Sequence, residues 1–202
     1  MIRKTLEKLL RPYNPSAGAE DHYERGMNLA EAGLYFAARQ EFKQAIRKRP
    51  EFAEAYYALA SNYRNLGQIR RAIRAYHAAL QIRPDFADAC RNLALTYDDA
   101  GCFIEAIKMY AKAMLLRPRD AEVRNDLGIT FCHMNRYSDA VMAHKQALEI
   151  DPENSRAHFS LGLIYLDLKD KEMALEAQRQ LEKLGHEDAA SQLLSQITLE
   201  FS

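Results

Sequence analysis

The chain has 202 residues, of which 48% are hydrophobic and 28% charged, and its formal net charge is zero. This balance is that of an ordinary soluble protein with one sizeable domain, and it excludes a chain drawn to nucleic acid or to a membrane by its overall charge. The three Cys residues form no CxxC pair. They indicate free thiols in a reducing compartment, and we expect a cytoplasmic protein.

The charge is unevenly distributed along the chain. Residues 1–86 carry 15 Lys and Arg against 9 Asp and Glu, whereas residues 87–202 carry 13 against 19. The chain is therefore basic in its first part and acidic in its second, an asymmetry that favours charged partners or head-to-tail contacts between copies. No apolar run approaches the roughly 18 residues of a membrane span, and the N-terminus lacks the apolar core of a secretory signal.

Residues 1–11 predict a short amphipathic helix. Ile2, Leu6, Leu9 and Leu10 fall on one helical face, with basic side chains around them. Helices on membrane surfaces have this pattern, but four aliphatic side chains would bind a membrane weakly. We therefore favour docking on a surface of this chain or of a second copy, with peripheral membrane contact through residues 1–11 as the alternative. Residues 12–18 are predicted to be a linker.

A repeat of 34 residues dominates the rest of the chain. Its clearest marks are Pro50, Pro84, Pro118 and Pro152. Small residues recur at Gly26, Ala60, Ala94, Gly128 and Gly162, and again at Ala38, Ala72, Ala106, Ala140 and Ala174. An aromatic column, Phe42, Tyr76 and Tyr110, breaks at His144 and Gln178. A fixed period of this length indicates stacked supersecondary units.

Each repeat predicts a hairpin of two amphipathic helices, because its apolar residues are spaced by three and four. Gly33, Gly67 and Gly101 fall between the two helices, where a left-handed residue ends the first helix, and Asn135 takes that place in the fourth repeat. Proline ends the second helix because it lacks an N–H group. The small residues are expected where two helices cross closely.

These columns closely resemble the tetratricopeptide repeat (TPR) family. The resemblance divides the chain into five TPR units, 19–52, 53–86, 87–120, 121–154 and 155–188, within residues 19–188. Residues 1–18 then form an N-terminal basic amphipathic helix and linker, and residues 187–202 a C-terminal capping helix and tail. The implied fold is all-α, a right-handed α-solenoid of about five helix hairpins. The pattern departs from the family at the terminal units, for example at Lys169, which replaces the turn glycine.

No enzyme motif is found in the sequence, and we expect a non-enzymatic protein without catalytic residues, cofactor or metal. Phosphate-binding, dinucleotide-binding, zinc-protease and serine-hydrolase motifs are all missing. The nearest approach to a metal pair is Cys132–His133, but adjacent helical residues point about 100° apart. A packing Cys beside a surface His is the simpler interpretation.

The resemblance implies that the first helix of each unit lines a concave groove. The groove positions hold ten acids and three Arg, with apolar residues recurring among them. This composition favours an extended or helical peptide with positive charges and spaced apolar anchors. The candidate contact residues are Tyr23, Met27, Tyr57, Arg64, Arg91, Asn92, Leu95, Asp98, Asp99, Asn125, Asp126, Ile129, His133, Phe159 and Leu163.

A structural explanation competes for part of this acidity. Glu20, Glu54, Asp88 and Glu122 open their helices, where the helix dipole favours acids without any ligand. Glu31, Asp98, Asp99 and Asp167 lie near helix C-termini, where the dipole disfavours acids, so they are better evidence for a ligand. The positions that grip a C-terminal carboxylate in the co-chaperone branch of the family are not matched by Lys, Asn and Arg in this chain.

Three further interpretations stay open. Basic residues of the second helices, among them Arg47, Arg70 and Arg74, could form a patch for phosphate or an anionic membrane on the convex side. The chain could also be a self-associating scaffold, joined through residues 1–11 or its oppositely charged ends. The last alternative is an accessory subunit of a membrane or enzyme complex. The leading interpretation is an assembly factor or scaffold that binds other proteins.

Overall fold

The structure is a computed structural model that describes residues 17–201, and in that range the regular secondary structure is entirely helical. Residues 1–11 and most of the predicted linker lie outside the described residues. The first helices of the hairpins are α1 (Ala19–Glu31), α3 (Ala53–Asn65), α5 (Ala87–Asp99), α7 (Ala121–His133) and α9 (Ser155–Asp167). The second helices are α2 (Tyr35–Lys48), α4 (Ile69–Ile82), α6 (Phe103–Leu116), α8 (Tyr137–Ile150) and α10 (Lys171–Lys183). The last helix is α11 (Glu187–Glu200).

The turn inside each hairpin is a left-handed helix end. Gly33, Gly67 and Gly101 have φ values of 74°, 68° and 71°, and Asn135 and Lys169 have 57° and 59°. In each case the next residue donates its backbone N–H to a carbonyl five residues earlier, as Gln68 does to Tyr63 at 2.8 Å. This bond closes a Schellman motif and satisfies a carbonyl at the helix end. The predicted turn positions are confirmed.

Proline ends four of the second helices. The helices α2, α4, α6 and α8 stop two residues before Pro50, Pro84, Pro118 and Pro152 respectively. The fifth repeat differs, because α10 ends at Lys183 and is followed by Gly185 at a φ of 79°. His186 then donates to the Leu181 carbonyl at 2.9 Å. The junction between α10 and α11 is therefore a hairpin turn of the kind found inside the repeats.

The described residues form two compact units that meet in sequence within α6. In the N-terminal unit, which ends at Met109, α1 packs on α2, α3 on α4, and each second helix on the next first helix. Its core combines alanines with aromatic and leucine side chains. The fully buried members include Ala38, Phe42, Ala45, Ala55, Ala60, Ala72, Tyr76, Ala79, Ala89, Leu93 and Ala94.

In the C-terminal unit, which begins at Tyr110, α7 packs on α8, α8 on α9, and α9 on α10. Helix α11 packs on both α10 and α9 and supplies Leu193 and Ile197 to the buried cluster that contains Leu161 and Leu181. The last repeat therefore buries its apolar face against α11, which a hairpin with only one neighbouring repeat requires.

The glycines of the small-residue column mark the closest helix crossings. A Cβ atom at Gly26 would lie 2.6 Å from the Phe42 ring, and one at Gly128 would lie 2.6 Å from Nε2 of His144. At Gly162 the opposing side chain is Leu193 of α11, which leaves still less room for a Cβ atom. Real Cβ atoms do not approach other atoms so closely, so glycine at these positions makes room for a large side chain on the partner helix.

None of the helices within residues 17–201 is long and apolar enough to cross a membrane.

Candidate functional site

The first helices of the N-terminal unit lie side by side, because α3 contacts both α1 and α5. Hydrogen bonds join their side chains across this surface: Asn92 donates to the Tyr57 hydroxyl at 2.6 Å, and Arg64 donates to Asp99 at 2.7 Å. We call this surface the N-terminal first-helix face. The predicted contact residues on it are Tyr23, Met27, Tyr57, Arg64, Arg91, Asn92, Leu95, Asp98 and Asp99.

All nine of these side chains reach solvent to some degree. Met27 is 36% exposed and Asp99 is exposed, while the other seven are half-buried. Burial raises the pKa of the Tyr23 hydroxyl and, with Asp88 nearby, that of Tyr57. Both side chains are therefore neutral at physiological pH and present an aromatic ring with a polar tip, a combination common in protein-binding surfaces.

Two identical arrangements of arginine and aromatic side chains support this face. The Arg49 guanidinium lies 3.5 Å from the centre of the Phe52 ring, and Arg83 lies 3.6 Å from that of Phe86. Such stacking contributes about 0.5 to 2 kcal/mol, depending on how far it is desolvated. Tyr23 packs on the Phe52 ring with centroids 5.0 Å apart. Tyr57 repeats the contact on Phe86 at 4.9 Å.

The same arginines bind the acids that open the first helices. Arg49 donates to Glu20 at 2.5 Å, and Arg83 donates to Glu54 at 2.7 Å. These carboxylates thus have internal partners in addition to the helix dipole, so neither is evidence for a ligand. Helical periodicity in the sequence does not indicate the contribution of Arg49, Phe52, Arg83 and Phe86. The repeated letters RPEF and RPDF at residues 49–52 and 83–86 were the available signal.

The acids near the helix C-termini differ in their surroundings. Asp99 is paired with Arg64, so part of its charge is neutralised within the protein. Glu31 is exposed at the end of α1, and Glu24 is exposed seven residues earlier on the same helix. Neither of these two glutamates has a hydrogen bond or ion pair with another residue in the described range. They flank Met27 and are the acids of this face that can meet a cationic ligand.

In the C-terminal unit, α7 and α9 also contact each other. Ile129, Phe159 and Leu163 are half-buried on these helices, and His133 is exposed. Asn125 and Asp126 are 0% and 2% exposed, so neither can line a surface for a ligand. Arg156 donates to Glu122 at 2.5 Å and to Asp126 at 3.4 Å, which gives the buried carboxylate an internal partner.

The reason for the burial of Asn125 is its contact with His144. His144 occupies the place of an aromatic residue in the fourth repeat and is fully buried. Its Nδ1 lies 2.9 Å from Oδ1 of Asn125, so Nδ1 carries the proton and donates it. Burial, with Arg156 as a second cause, lowers the pKa of His144 to about 4. The imidazole is therefore neutral at physiological pH and serves as a packing group.

Cys132 does not have the properties of a reactive thiol. Burial and the nearby Asp167 carboxylate raise its pKa to about 11, so the thiolate is not populated at neutral pH. Within residues 17–201, no three His, Cys, Asp or Glu side chains are grouped so that they could hold a metal ion. A surface cleft around the start of α7 combines Arg117 and Arg119 with Asp120, Glu122 and Asp151.

Family comparisons match most of the repeat region. Family models described as Tetratricopeptide repeat match residues 23–61, 53–86, 85–153 and 145–176, which together span residues 23–176. No curated protein matches the chain.

Among solved structures, the chain is similar to MamA, from residue 41 to its end, of Desulfovibrio magneticus, with a TM-score of 0.75 and 20% identity over 84% of this chain and 96% of that MamA chain. It is also similar to YrrB, described as a TPR protein with an unusual peptide-binding site, with a TM-score of 0.68 and 18% identity over 88% of this chain and 92% of YrrB. A thermophilic TPR protein of Thermus thermophilus matches with a TM-score of 0.68 and 21% identity over 90% of this chain and 100% of its own length.

These similarities confirm the predicted all-α solenoid fold class. The repeat matches, the helix hairpins and the turn geometry agree, and the chain belongs to the tetratricopeptide repeat family.

Proposed function

We propose that this chain is a non-enzymatic module that binds another protein through the N-terminal first-helix face. The expected ligand is a peptide or helix that combines positive charges with spaced apolar anchors. The observation that carries the proposal is the stripe Glu24, Met27 and Glu31 on α1, in which one exposed acid lies on each side of an exposed apolar side chain. A cation next to an aliphatic residue on the ligand would be complementary to this stripe.

Helices α3 and α5 extend the surface with apolar and aromatic groups. Tyr57 and Leu95 are half-buried there, and the hydroxyl of Tyr57 is fixed by Asn92. Side chains held by neighbouring contacts lose little conformational entropy on binding, which favours their use as anchors. The rigid Arg–Phe stacks beneath Tyr23 and Tyr57 serve the same purpose.

A library of displayed short peptides tests the proposal. Wild-type protein should enrich sequences with Lys or Arg beside aliphatic residues. The double variant Glu24→Lys/Glu31→Lys should bind the selected peptides at least about tenfold more weakly, since each lost charge contact contributes about 1 kcal/mol or more. The matched control is Glu149→Lys/Glu182→Lys, which makes the same charge change at exposed positions near the ends of α8 and α10.

The control variant should bind the peptides as the wild type does. Enrichment of acidic peptides, or equal binding by wild type and Glu24→Lys/Glu31→Lys, would show that this face does not recognise a basic ligand.

Self-association is a second candidate function, favoured by α11. Leu194 and Leu199 are 40% and 80% exposed on this helix, and they line a shallow surface cleft with Ser191, Ser195 and Thr198. An exposed apolar edge at the end of a repeat stack suits contact with a second copy. Light scattering at low and high salt tests this candidate; a monomer under both conditions would remove it.

A further inference from the structure

The second helices of the N-terminal unit expose a dense set of cations. Helix α2 carries Lys43, Arg47 and Lys48, helix α4 carries Arg70, Arg71 and Arg74, and the part of α6 within this unit carries Lys108. All seven side chains are exposed. On α2, Lys43 and Arg47 lie opposite the buried stripe that contains Ala38, Phe42 and Ala45. We call these seven residues the second-helix basic face.

Carboxylates are nearly missing from this face. Helix α4 contains no acidic residue, and the one acid of α2, Glu41, is turned inward to His22 at 2.7 Å and Arg25 at 3.5 Å. Glu105 on α6 is an exposed exception.

No carboxylate in residues 17–201 forms an ion pair with Lys43, Arg47, Arg70 or Arg74. By contrast, arginines on the first-helix side, such as Arg49, Arg64 and Arg83, each bind an acid.

Large apolar side chains protrude among the cations. Phe36 is 66% exposed and occupies the position in α2 that Arg70 has in α4, and Ile104, 54% exposed, has the same position in α6. Leu34, at the start of α2, is 50% exposed. The Arg39 guanidinium lies 5.4 Å from the Phe36 ring centre and keeps positive charge beside it. Cations and apolar tips thus alternate on one outward surface.

We propose that the second-helix basic face binds the surface of an anionic phospholipid bilayer. Lys and Arg near such a surface are attracted by its negative potential, and protruding Phe and Ile side chains can enter the boundary between head groups and acyl chains. A protein partner would need pockets for its anchors, whereas here the apolar groups project outward from the helices. A single-stranded nucleic acid would need several stacking rings, and Phe36 is the aromatic residue among the exposed large apolar residues of this face.

Vesicle co-sedimentation of the full chain tests the proposal. The probes are phosphatidylcholine vesicles with and without phosphatidylserine, at low and high salt. The protein should sediment with the phosphatidylserine vesicles at low salt and be released by high salt, because screening weakens attraction between exposed charges. Arg70→Glu/Arg74→Glu should lower the apparent affinity for these vesicles at least about tenfold. Phe36→Ser should lower it as well.

The control Lys145→Glu/Lys183→Glu makes the same charge change at exposed positions on second helices of the C-terminal unit, and it should bind as the wild type does. Thermal unfolding of each variant checks that the fold is intact, which exposed substitutions should preserve. Three results would overturn the proposal: no binding to phosphatidylserine vesicles at low salt, equal affinities of Arg70→Glu/Arg74→Glu and the control variant for these vesicles, or tighter binding to a DNA duplex or to poly-glutamate than to the vesicles.

Discussion

His144 shows how a polar residue can replace an aromatic one inside a helix crossing. The imidazole fits because Gly128 has no side chain on the opposing helix, and a Cβ there would lie 2.6 Å from its Nε2 atom. Its Nδ1 proton is satisfied by Asn125. The crossing between α7 and α8 therefore combines close packing with a hydrogen bond, and a separate prediction follows from each.

Gly128→Ala should destabilise the protein by about 1 to 3 kcal/mol, the usual cost of overpacking a close-packed core. The added methyl group would force the His144 ring away from Asn125, or the helices apart. Chemical denaturation measures the effect. Gly18→Ala is the control, because a Cβ at Gly18 meets its neighbours at an ordinary 3.6 Å, and it should lose only the N-cap preference of glycine over alanine, about 0.5 to 1 kcal/mol. Equal effects of the two substitutions would contradict the proposed crossing.

The buried imidazole also predicts a pH dependence of stability. The His144 pKa is about 4 in the folded protein against 6.5 for a free histidine, so below pH 6.5 the unfolded chain takes up a proton that the folded chain does not. The free energy of unfolding should therefore fall as the pH decreases from about 6.5 to about 4. The loss attributable to this group is at most about 3 kcal/mol.

Denaturation of wild type and His144→Gln at several pH values checks this dependence. Glutamine is buried at the corresponding position of the fifth repeat, Gln178, and it has no proton to gain. The difference in stability between the two proteins should change across this pH window, and a constant difference would show that His144 is not the responsible group.

At the same scale, the sequence did not predict which polar residues are buried. Asn125 and Asp126 were expected in the groove but are 0% and 2% exposed; Asn125 is hydrogen-bonded to the buried His144, and Asp126 accepts from the exposed Arg156. The aromatic column of the sequence breaks at His144 and Gln178, but both side chains are buried there like Phe42. The periodicity of a sequence shows which positions are polar and which are apolar. Whether a polar side chain is buried also depends on hydrogen-bond partners that are distant in sequence.

At the scale of helices and turns, the residue with a left-handed backbone in each hairpin leads us to predict opposite stability changes for two substitutions. Lys169 holds a φ of 59° without being glycine, whereas Gly67 holds 68° with open space around it. Lys169→Gly should raise stability by about 0.5 to 1 kcal/mol, and Gly67→Ala should lower it by about 1 kcal/mol. The exposed ion pair of Lys169 with Glu200 would be lost, at a cost of a few tenths of a kcal/mol. Changes of the same sign in both variants would contradict the turn assignment.

The crossing between α3 and α4 depends on a small residue at Ala72, which is fully buried. Ala72→Arg should cost several kcal/mol, because a charged side chain would be buried without a partner or would separate the helices. Circular dichroism should show a melting temperature lower by roughly 10 °C or more. Ala37→Arg is the control, since Ala37 is exposed at the position where the next repeat has Arg71. An unchanged melting curve for Ala72→Arg would refute the register of the repeat.

Helices and turns were the most predictable level of this structure. First helices begin at residues 19, 53, 87, 121 and 155, the same spacing of 34 that the prolines show. Because the pattern occurs five times, comparison of the repeats distinguishes positions that must be small or apolar for packing from positions whose residue type varies. The stacks of Arg49 on Phe52 and Arg83 on Phe86 were not predicted, because they form between a loop and the following helix start, where helical periodicity gives no information.

At the scale of the whole molecule, the basic first part and acidic second part of the sequence acquire a structural meaning. Much of the positive charge of the N-terminal unit lies exposed on second helices. The acids Glu20 and Glu54 of its first helices are paired with Arg49 and Arg83. The net charge of zero therefore does not describe the individual surfaces, which differ in local charge. We assign the first-helix face to a basic peptide and the second-helix basic face to an anionic bilayer, two partners that one unit could bind at the same time.

The sequence predicted which side chains reach the surface better than it predicted the charge available there. Tyr23, Met27, Tyr57 and Leu95 reach the surface, as the family resemblance implied. The charge count of the groove overstated the acidity available to a ligand, because Glu20, Glu54 and Asp99 are paired with arginines of other helices or loops. Such pairs depend on helix packing, which a charge count along the chain does not contain.

The most direct test of the central claim follows the methionine methyl groups by NMR while a peptide selected from the library is added to the full chain. Met27 lies on the first-helix face, whereas Met142 and Met173 are exposed on second helices and serve as internal references. We predict that the Met27 methyl signal shifts in a saturable way while those of Met142 and Met173 stay in place. Shifts confined to Met142 or Met173, with Met27 unmoved, would contradict the account.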